Sequence, residues 1–293
     1  MTRTREQQPT PTSLFDRAIH RFISRNGRVE TAQKSMWQRF PELGKIPDGK
    51  WPQNVFIIPD GNGRWAALKG LTLQAGHEKG AEVIVNVFND LSELSDHIPY
   101  VGAWGLSIDN LRRPPEEVDY LMDLFQRTIR RLQPDLIKRG NRFIHIGRKD
   151  IFDKYPHVGE TIEEVEEQTR KNTGQTIYIA IGFSGEDQEL RTAQKLAEAV
   201  KANPSLEITT ELIHSLRDGR GLIPSADLVI RTSGEQRLSD LGWIAGRQTE
   251  LNFSSKFFPS FETGDFVKAL VDFSKIQRRL GGRPVENAMV NSR

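Results

Sequence analysis

The stretch Val55-Phe-Ile-Ile-Pro-Asp-Gly-Asn-Gly-Arg-Trp65 sets the reading of the whole chain. Val55 to Ile58 is a short unbroken apolar run, the pattern of a strand buried on both faces. Pro59 closes it, and Asp60 to Gly63 follows as a polar, glycine-containing loop. Further on, from Gly80 to Leu94, the apolar residues Val83, Ile84, Val87, Phe88 and Leu91 recur at helical spacing. Strand, polar loop, helix is the unit.

The unit returns along the chain. Tyr100 to Ser107 predicts a strand and Pro114 to Arg139 a long helix. Arg142 to Ile146 and Ile177 to Ile181 predict strands, each followed by a helix, Val158 to Lys171 (mostly exposed) and Gln188 to Lys201. Leu228 to Ile230 reads as a strand, Leu241 to Gly246 as a helical stretch, Glu250 to Phe253 as a short strand and Phe266 to Leu280 as a closing helix. This alternation predicts an α/β fold with a mostly parallel central sheet flanked by helices. Length alone suggests about two domains, but no Pro/Gly/Ser linker divides residues 51–283, so a single α/β domain is expected there. Residues 1–50 form an N-terminal extension and residues 284–293 a tail. Within the extension, Leu14, Phe15, Ala18, Ile19, Phe22 and Ile23 recur at helical spacing. That amphipathic helix suits docking on the core, with a membrane-surface role as the alternative.

Composition narrows the chemistry. The chain has 293 residues, 41 Lys+Arg against 39 Asp+Glu, and no cysteine. A net charge of +2 is too small for the basic face that nucleic-acid binding needs. No apolar run approaches the roughly 20 residues that span a bilayer. Without cysteine there is no disulfide, thiolate metal site or thiol nucleophile. The first residues lack the apolar stretch of a secretory signal. The expectation is a cytoplasmic protein working with carboxylates, Arg, His, hydroxyls or a hard metal ion.

In open α/β sheets ligands bind beyond the carboxyl ends of the strands, and three such segments carry suggestive residues. Asp60-Gly61-Asn62-Gly63-Arg64-Trp65 combines a carboxylate, two glycines and a cation, with Gly76-His77 opening the next helix. That composition suits a diphosphate held by backbone N–H groups, Arg64 and His77, with Asp60 holding Mg²⁺; a tight turn with Asp60 as a helix cap is the plain alternative. Ser107-Ile-Asp-Asn-Leu-Arg-Arg113 offers a hydroxyl, an amide (Asn110) and cations before a helix that Asp109 or Asn110 could simply cap. Arg231-Thr-Ser-Gly-Glu-Gln-Arg-Leu-Ser239 sets two Arg six apart among hydroxyls, a second anion-binding composition or else a solvated loop. Two anion sites on one sheet edge point to an enzyme joining or transferring between two phosphorylated substrates.

Together with Glu250-Leu-Asn-Phe253 and Arg278-Arg-Leu-Gly-Gly282, these segments occur in the order seen in cis-prenyltransferases, and residues 54–283 resemble the undecaprenyl diphosphate synthase family. The resemblance implies a homodimer whose fold encloses an apolar tunnel. It also implies Mg²⁺-dependent condensation of an allylic prenyl diphosphate with isopentenyl diphosphate, and peripheral membrane contact where products are long lipids. By the same resemblance, Asp60 is the catalytic, Mg²⁺-positioning carboxylate, and Gly61, Asn62, Gly63, Arg64, Trp65 and His77 surround the allylic diphosphate. Ser107, Asn110 and Arg113 position substrates, Asn110 with a catalytic part. Arg231, Arg237 and Ser239 clamp isopentenyl diphosphate, Glu250 is a second metal carboxylate, and Arg279 and Gly281 reach across the dimer.

The chain also departs from the family pattern. Leu73 stands where an Arg usually precedes the His by four residues, Leu111 replaces an aromatic, and Ser184-Gly185-Glu186 replaces Gly-Gly-Arg. A specialised member making short, irregular or cyclised terpenoid diphosphates is therefore the alternative. A non-catalytic partner subunit ranks below it, because such chains generally lose the Asp60-type carboxylate.

Overall fold

In a computed structural model that describes residues 34–278, the strands are β1 (Asn54–Ile58), β2 (Tyr100–Ser107), β3 (Arg142–Ile146), β4 (Thr176–Phe183), β5 (Ala226–Arg231) and β6 (Ala245–Phe253). The helices are α1 (Met36–Arg39), α2 (Asn62–Leu68), α3 (Leu73–Leu91), α4 (Pro115–Lys138), α5 (Pro156–Thr169), α6 (Gly185–Ala202), α7 (Thr210–Leu216) and α8 (Thr263–Ser274). The expected helix at Leu14 to Ile23, the tail, Arg279 and Gly281 lie outside the described residues.

The six strands form one sheet in the order β3-β4-β2-β1-β5-β6, and every neighbouring pair is parallel. Period-2 alternation splits each central strand between two cores. Val55 and Ile57 join Val101, Ala103, Ile177 and Ile179 beneath α3 and α4, while Phe56 and Ile58 join Trp104, Tyr178 and Ala180 on the other face. Each of these side chains is at least nine-tenths buried, and full burial of one Ile or Phe contributes about 1.5–3 kcal/mol. From β1 the chain turns towards β2, and from β5 towards β6, so the strand order reverses between β1 and β5. That reversal opens a crevice at their carboxyl ends, where Ile58 lies opposite Arg231.

Several boundaries differ from the sequence expectation. Helix α3 starts at Leu73, because the Thr72 hydroxyl accepts the Ala75 N–H and caps it there, so Gly76-His77 lie inside the helix rather than opening it. The stretch Leu241 to Gly246 is one 3₁₀ turn, Gly242–Ile244, and β6 begins at Ala245. Helix α5 is less exposed than its charges suggest: Val158, Thr161, Ile162, Val165 and Thr169 are buried. The closing helix stops at Ser274, earlier than the expected Leu280.

Candidate active site

The crevice between β1 and β5 continues under α3 and α4 as a cavity of about 980 Å³. Its polar end is built around Asp60. Asp60 Oδ2 accepts from Arg231 Nη2 at 2.8 Å and Oδ1 from Arg64 Nη2 at 2.9 Å, so both carboxylate oxygens face a guanidinium. The backbone is pinned as well: Asp60 N–H donates to Thr232 Oγ1 at 2.8 Å, and that hydroxyl donates to the Asp60 carbonyl at 2.8 Å. The Arg231 side chain is only 4% exposed. Its Nη1 donates to Ser239 Oγ at 2.6 Å and to the Arg237 carbonyl, which folds the 232–240 loop over the site. Ser233, Ser239 and Asp240 hold φ values of 79°, 52° and 60° in that loop, a left-handed conformation that costs non-glycine residues energy and persists only where contacts enforce it.

Glu235 completes the pole. It accepts from Arg64 Nη1 at 2.8 Å and pairs with Arg237, so three arginines and two carboxylates form one chain of ion pairs. Arg64 also lies 5.7 Å over the Phe257 ring. Gly61 has φ 98°, and a Cβ there would sit 2.5 Å from Phe257 Cδ1. Only glycine meets both conditions. Asn62 packs into a notch in α3, where a Cβ on Gly76 would lie 2.3 Å from the Asn62 carbonyl oxygen and one on Gly80 would lie 2.5 Å from Asn62 Oδ1.

On the opposite rim, Ser107 and Asn110 cap each other: Ser107 N–H donates to Asn110 Oδ1 at 3.3 Å and Asn110 N–H to Ser107 Oγ at 3.1 Å. Neither Asp109 nor Asn110 caps α4, which has Pro114 at its N-cap and no side-chain cap. Asp60 does not cap α2 either, since Gly61 holds that position. Arg113 donates to Glu117 at 2.9 Å, and His77 Nε2 stands 4.0 Å from the same carboxylate. Burial holds the His77 pKa below its ordinary value of 6.5; Glu117 opposes that shift and Arg113 adds to it. Beyond this rim the walls turn apolar, with Ala81 and Ile84 from α3, Leu121, Leu124 and Phe125 from α4, and Ala103 and Ile179 from the sheet.

Asp60, Gly61, Asn62, Gly63, Arg64, His77, Ser107, Asn110, Arg113, Arg231, Arg237 and Ser239 thus line one cavity. Two further candidates do not. Trp65 donates its indole N–H to Ser260 Oγ at 2.9 Å and lies 5.3 Å from Lys69 Nζ, because α2 turns its ring towards the 258–260 turn. Glu250 sits opposite Leu228 on β6, three residues before the level of Arg231, and is not among the cavity walls. Glu235, Thr232 and Phe257 were missed. Glu235 lies within the anion-binding segment already singled out, but a carboxylate between two arginines gives no sign in sequence of which cations it bridges.

Among the described residues no three His, Asp or Glu side chains cluster to hold a metal. Asp60 offers one carboxylate, and Asn62 Oδ1 is a buried acceptor with no hydrogen-bond partner. One or two such oxygens suit Mg²⁺ that takes its remaining ligands from phosphate and water.

Both His77 and His145 are held below 6.5 chiefly by burial. Between the folded-state value and 6.5 the unfolded chain binds more protons, so stability is complete above pH 6.5 and falls as the pH drops below it. We expect a loss of up to about 1.4 kcal/mol per pH unit for each histidine, read as a falling Tm from pH 7 to pH 5. His77→Gln should reduce that slope; a flat wild-type profile would remove the effect.

A parallel sheet whose switch-point crevice joins an arginine–carboxylate pole to an apolar-walled cavity suits an enzyme acting on phosphorylated substrates that carry hydrocarbon. The family model for undecaprenyl diphosphate synthase matches residues 58–281. The chain is 38% identical over 235 residues to an isoprenyl transferase of Thermotoga maritima, covering 79% of this chain and 97% of that protein. It is 35% identical over 237 residues to a ditrans,polycis-undecaprenyl-diphosphate synthase, (2E,6E)-farnesyl-diphosphate specific, of Coxiella burnetii, covering 80% and 97%. Among solved structures, lavandulyl diphosphate synthase from Lavandula x intermedia in complex with dimethylallyl diphosphate superposes with a TM-score of 0.73 at 29% identity, covering 79% of this chain and 98% of that one. The chain belongs to the undecaprenyl diphosphate synthase family of prenyltransferases.

Proposed function

We propose that the cavity condenses an allylic prenyl diphosphate with isopentenyl diphosphate to give a cis-prenyl diphosphate. The observation that carries this is the Asp60–Arg64–Arg231 pole at the mouth of an apolar cavity. The allylic diphosphate lies against Arg64, Asn62 and His77, whose buried Nε2 has no partner. The second diphosphate lies against Arg237, Ser239 and the buried, unpartnered Nε of Arg231. The chemistry that Mg²⁺ supplies beside Asp60 is neutralisation of the diphosphate charge as the allylic C–O bond weakens. Arg64 and Arg231 stabilise the same developing charge with N–H groups already oriented by Asp60, at no cost of reorganisation. Ala103, Leu121, Leu124 and Phe125 hold the hydrocarbon and keep water from the electron-deficient allylic carbon. The isopentenyl double bond then attacks that carbon, diphosphate leaves, and a proton is lost from the adjoining isopentenyl carbon.

Incubation with Mg²⁺, isopentenyl diphosphate and, separately, dimethylallyl, geranyl, farnesyl and geranylgeranyl diphosphate tests this directly. Linear cis products, read by mass and double-bond geometry, support it; no turnover with any pair overturns it. Branched or cyclic products, above all from dimethylallyl diphosphate alone, would favour a second reading, irregular coupling. The likeness to lavandulyl diphosphate synthase supports that alternative, together with Leu73 lining the cavity.

Arg237 is 62% exposed and, among the described residues, paired only with Glu235, so its truncation leaves the fold unstrained. Arg237→Ala should raise KM for isopentenyl diphosphate by about tenfold with a smaller change in kcat. If only the allylic substrate responds, the two diphosphate positions are exchanged. Ala103 is buried in the cavity wall on β2, and Ala103→Leu adds bulk there. The expected result is a shorter product at comparable initial rate; an unchanged product length would place the hydrocarbon elsewhere.

A homodimer fits the exposed edge of β6, where Leu251 and Phe253 are 44% and 36% exposed. Glu250, Arg279 and Gly281 would then act across the two chains. No helix of the described residues is long and apolar enough to cross a membrane, and peripheral contact rests on the apolar periodicity of the sequence from Leu14 to Ile23, outside the described residues.

A further inference from the structure

A groove of about 520 Å³ runs along the outer edge of β3, walled by α5, α6 and the 217–222 loop, and shares no lining residue with the catalytic cavity. Although β3 is an edge strand, its outer N–H groups are occupied. Phe143 N–H donates to Thr169 Oγ1 at 3.1 Å, His145 N–H to Glu166 Oε1 at 2.7 Å and Gly147 N–H to Asp218 Oδ2 at 2.9 Å. Asp218 also takes two N–H groups of Arg191 at 2.7 and 2.8 Å, and its own N–H donates to Gln188 Oε1 at 3.0 Å. These bonds brace the loop against both the strand and α6, so the groove has fixed walls. Glu166, in a helix expected to be mostly exposed, takes part in this bracing.

The charge in the groove is unbalanced. Eight Lys and Arg side chains line it against five Asp and Glu. Arg148 takes Asp150, Lys149 takes Glu166, Arg170 takes Glu167 and Arg191 takes Asp218. Arg142, Lys195, Arg217 and Arg220 are left with no ion-pair partner among the described residues. Two buried polar atoms in the wall also have no hydrogen-bond partner, Arg142 Nε and His145 Nδ1. His145 is 5% exposed, and its Nε2 is engaged by the Ile181 carbonyl at 2.9 Å.

We propose that this groove is a second anion site that binds a phosphate-bearing molecule. Unpaired guanidinium forks match phosphate oxygens in geometry, and the excess of three cations suits a di- or multiply charged group. A cavity of this size, recessed against a strand edge, takes a small molecule or a lipid headgroup rather than a protein surface.

The test is calorimetric titration of the full chain with inorganic diphosphate, without metal. The wild type should show two classes of site. Arg231→Gln should remove the one in the cavity, and Arg217→Gln/Arg220→Gln the one in the groove, with at least about tenfold weaker binding there. Lys195→Gln, on the surface of α6, gives a milder loss and guards against misfolding of the double variant, whose Tm is measured alongside. Sedimentation with phosphatidylglycerol vesicles identifies the source. Retention of the wild type but not of Arg217→Gln/Arg220→Gln assigns the groove to a lipid headgroup; loss of diphosphate binding without vesicle retention assigns it to a free phosphorylated molecule. A diphosphate isotherm and a vesicle retention both unchanged by the groove variants overturn the proposal. Because these variants are read by binding, the result stands apart from whether the cavity condenses prenyl diphosphates.

Discussion

Asp60→Asn should lower turnover by about three orders of magnitude while the protein still folds. The substitution keeps the side chain's shape and one acceptor oxygen, but removes the charge that holds Arg231 at 2.8 Å and Arg64 at 2.9 Å. Its amide N–H groups would face one of the two guanidiniums, so one arginine meets a donor in place of an acceptor and the other keeps only a neutral acceptor. Arg231 is buried and keeps Ser239 and the Arg237 carbonyl as partners. The stability cost should therefore stay near that of one charged hydrogen bond, about 1.5–3 kcal/mol. Steady-state kinetics with a thermal melt check both halves; near-normal turnover would remove Asp60 from the mechanism.

The second large effect lies outside the charged pole. Gly76→Ala puts a methyl group 2.3 Å from the Asn62 carbonyl oxygen and 3.0 Å from the Ala66 Cβ. Since the first contact is backbone, no rotamer relieves it, and α2 must move away from α3. Overpacking of this kind costs about 1–3 kcal/mol. The displaced α2 carries Asn62 and Arg64, so kcat/KM should fall by about tenfold or more in the same variant. Gly44→Ala is the control: a Cβ there meets nothing within 4 Å and the φ is not left-handed, so Tm should hold or rise slightly. Equal melting temperatures for the two variants would mean that α2 and α3 are not in close contact.

Much of the fold was legible because its signals are local. The apolar run at Val55, the proline and glycines after it, and the helical periodicity of Val83 to Leu91 each depend on neighbours a few residues apart. The cap at Thr72 is local too, yet the expected helix began later, because the first turns of α3 run Leu-Gln-Ala-Gly-His-Glu-Lys-Gly and carry no repeating apolar stripe. Most candidate site residues line one cavity because they follow the carboxyl ends of parallel strands, and that end is marked in sequence by the loop following the run. Trp65 is not among the cavity walls for a related reason. It belongs to the right segment, but which way a side chain points from α2 depends on what packs against it, here Ser260 and Lys69.

By itself, then, the sequence determined the six strands, the long helices, their parallel arrangement and the residue types available for chemistry, since dihedral preferences and apolar period act within a few residues. Tertiary structure alone decided that Asp60 meets Arg231, 171 residues away, that Glu235 bridges two arginines, and that Glu250 stands apart from the cavity within one chain. It also brought four cations without an ion-pair partner among the described residues, from β3, α6 and the 217–222 loop, into one groove. These pairings follow from strand order and helix packing, which depend on contacts between distant segments and leave no periodic trace in the chain.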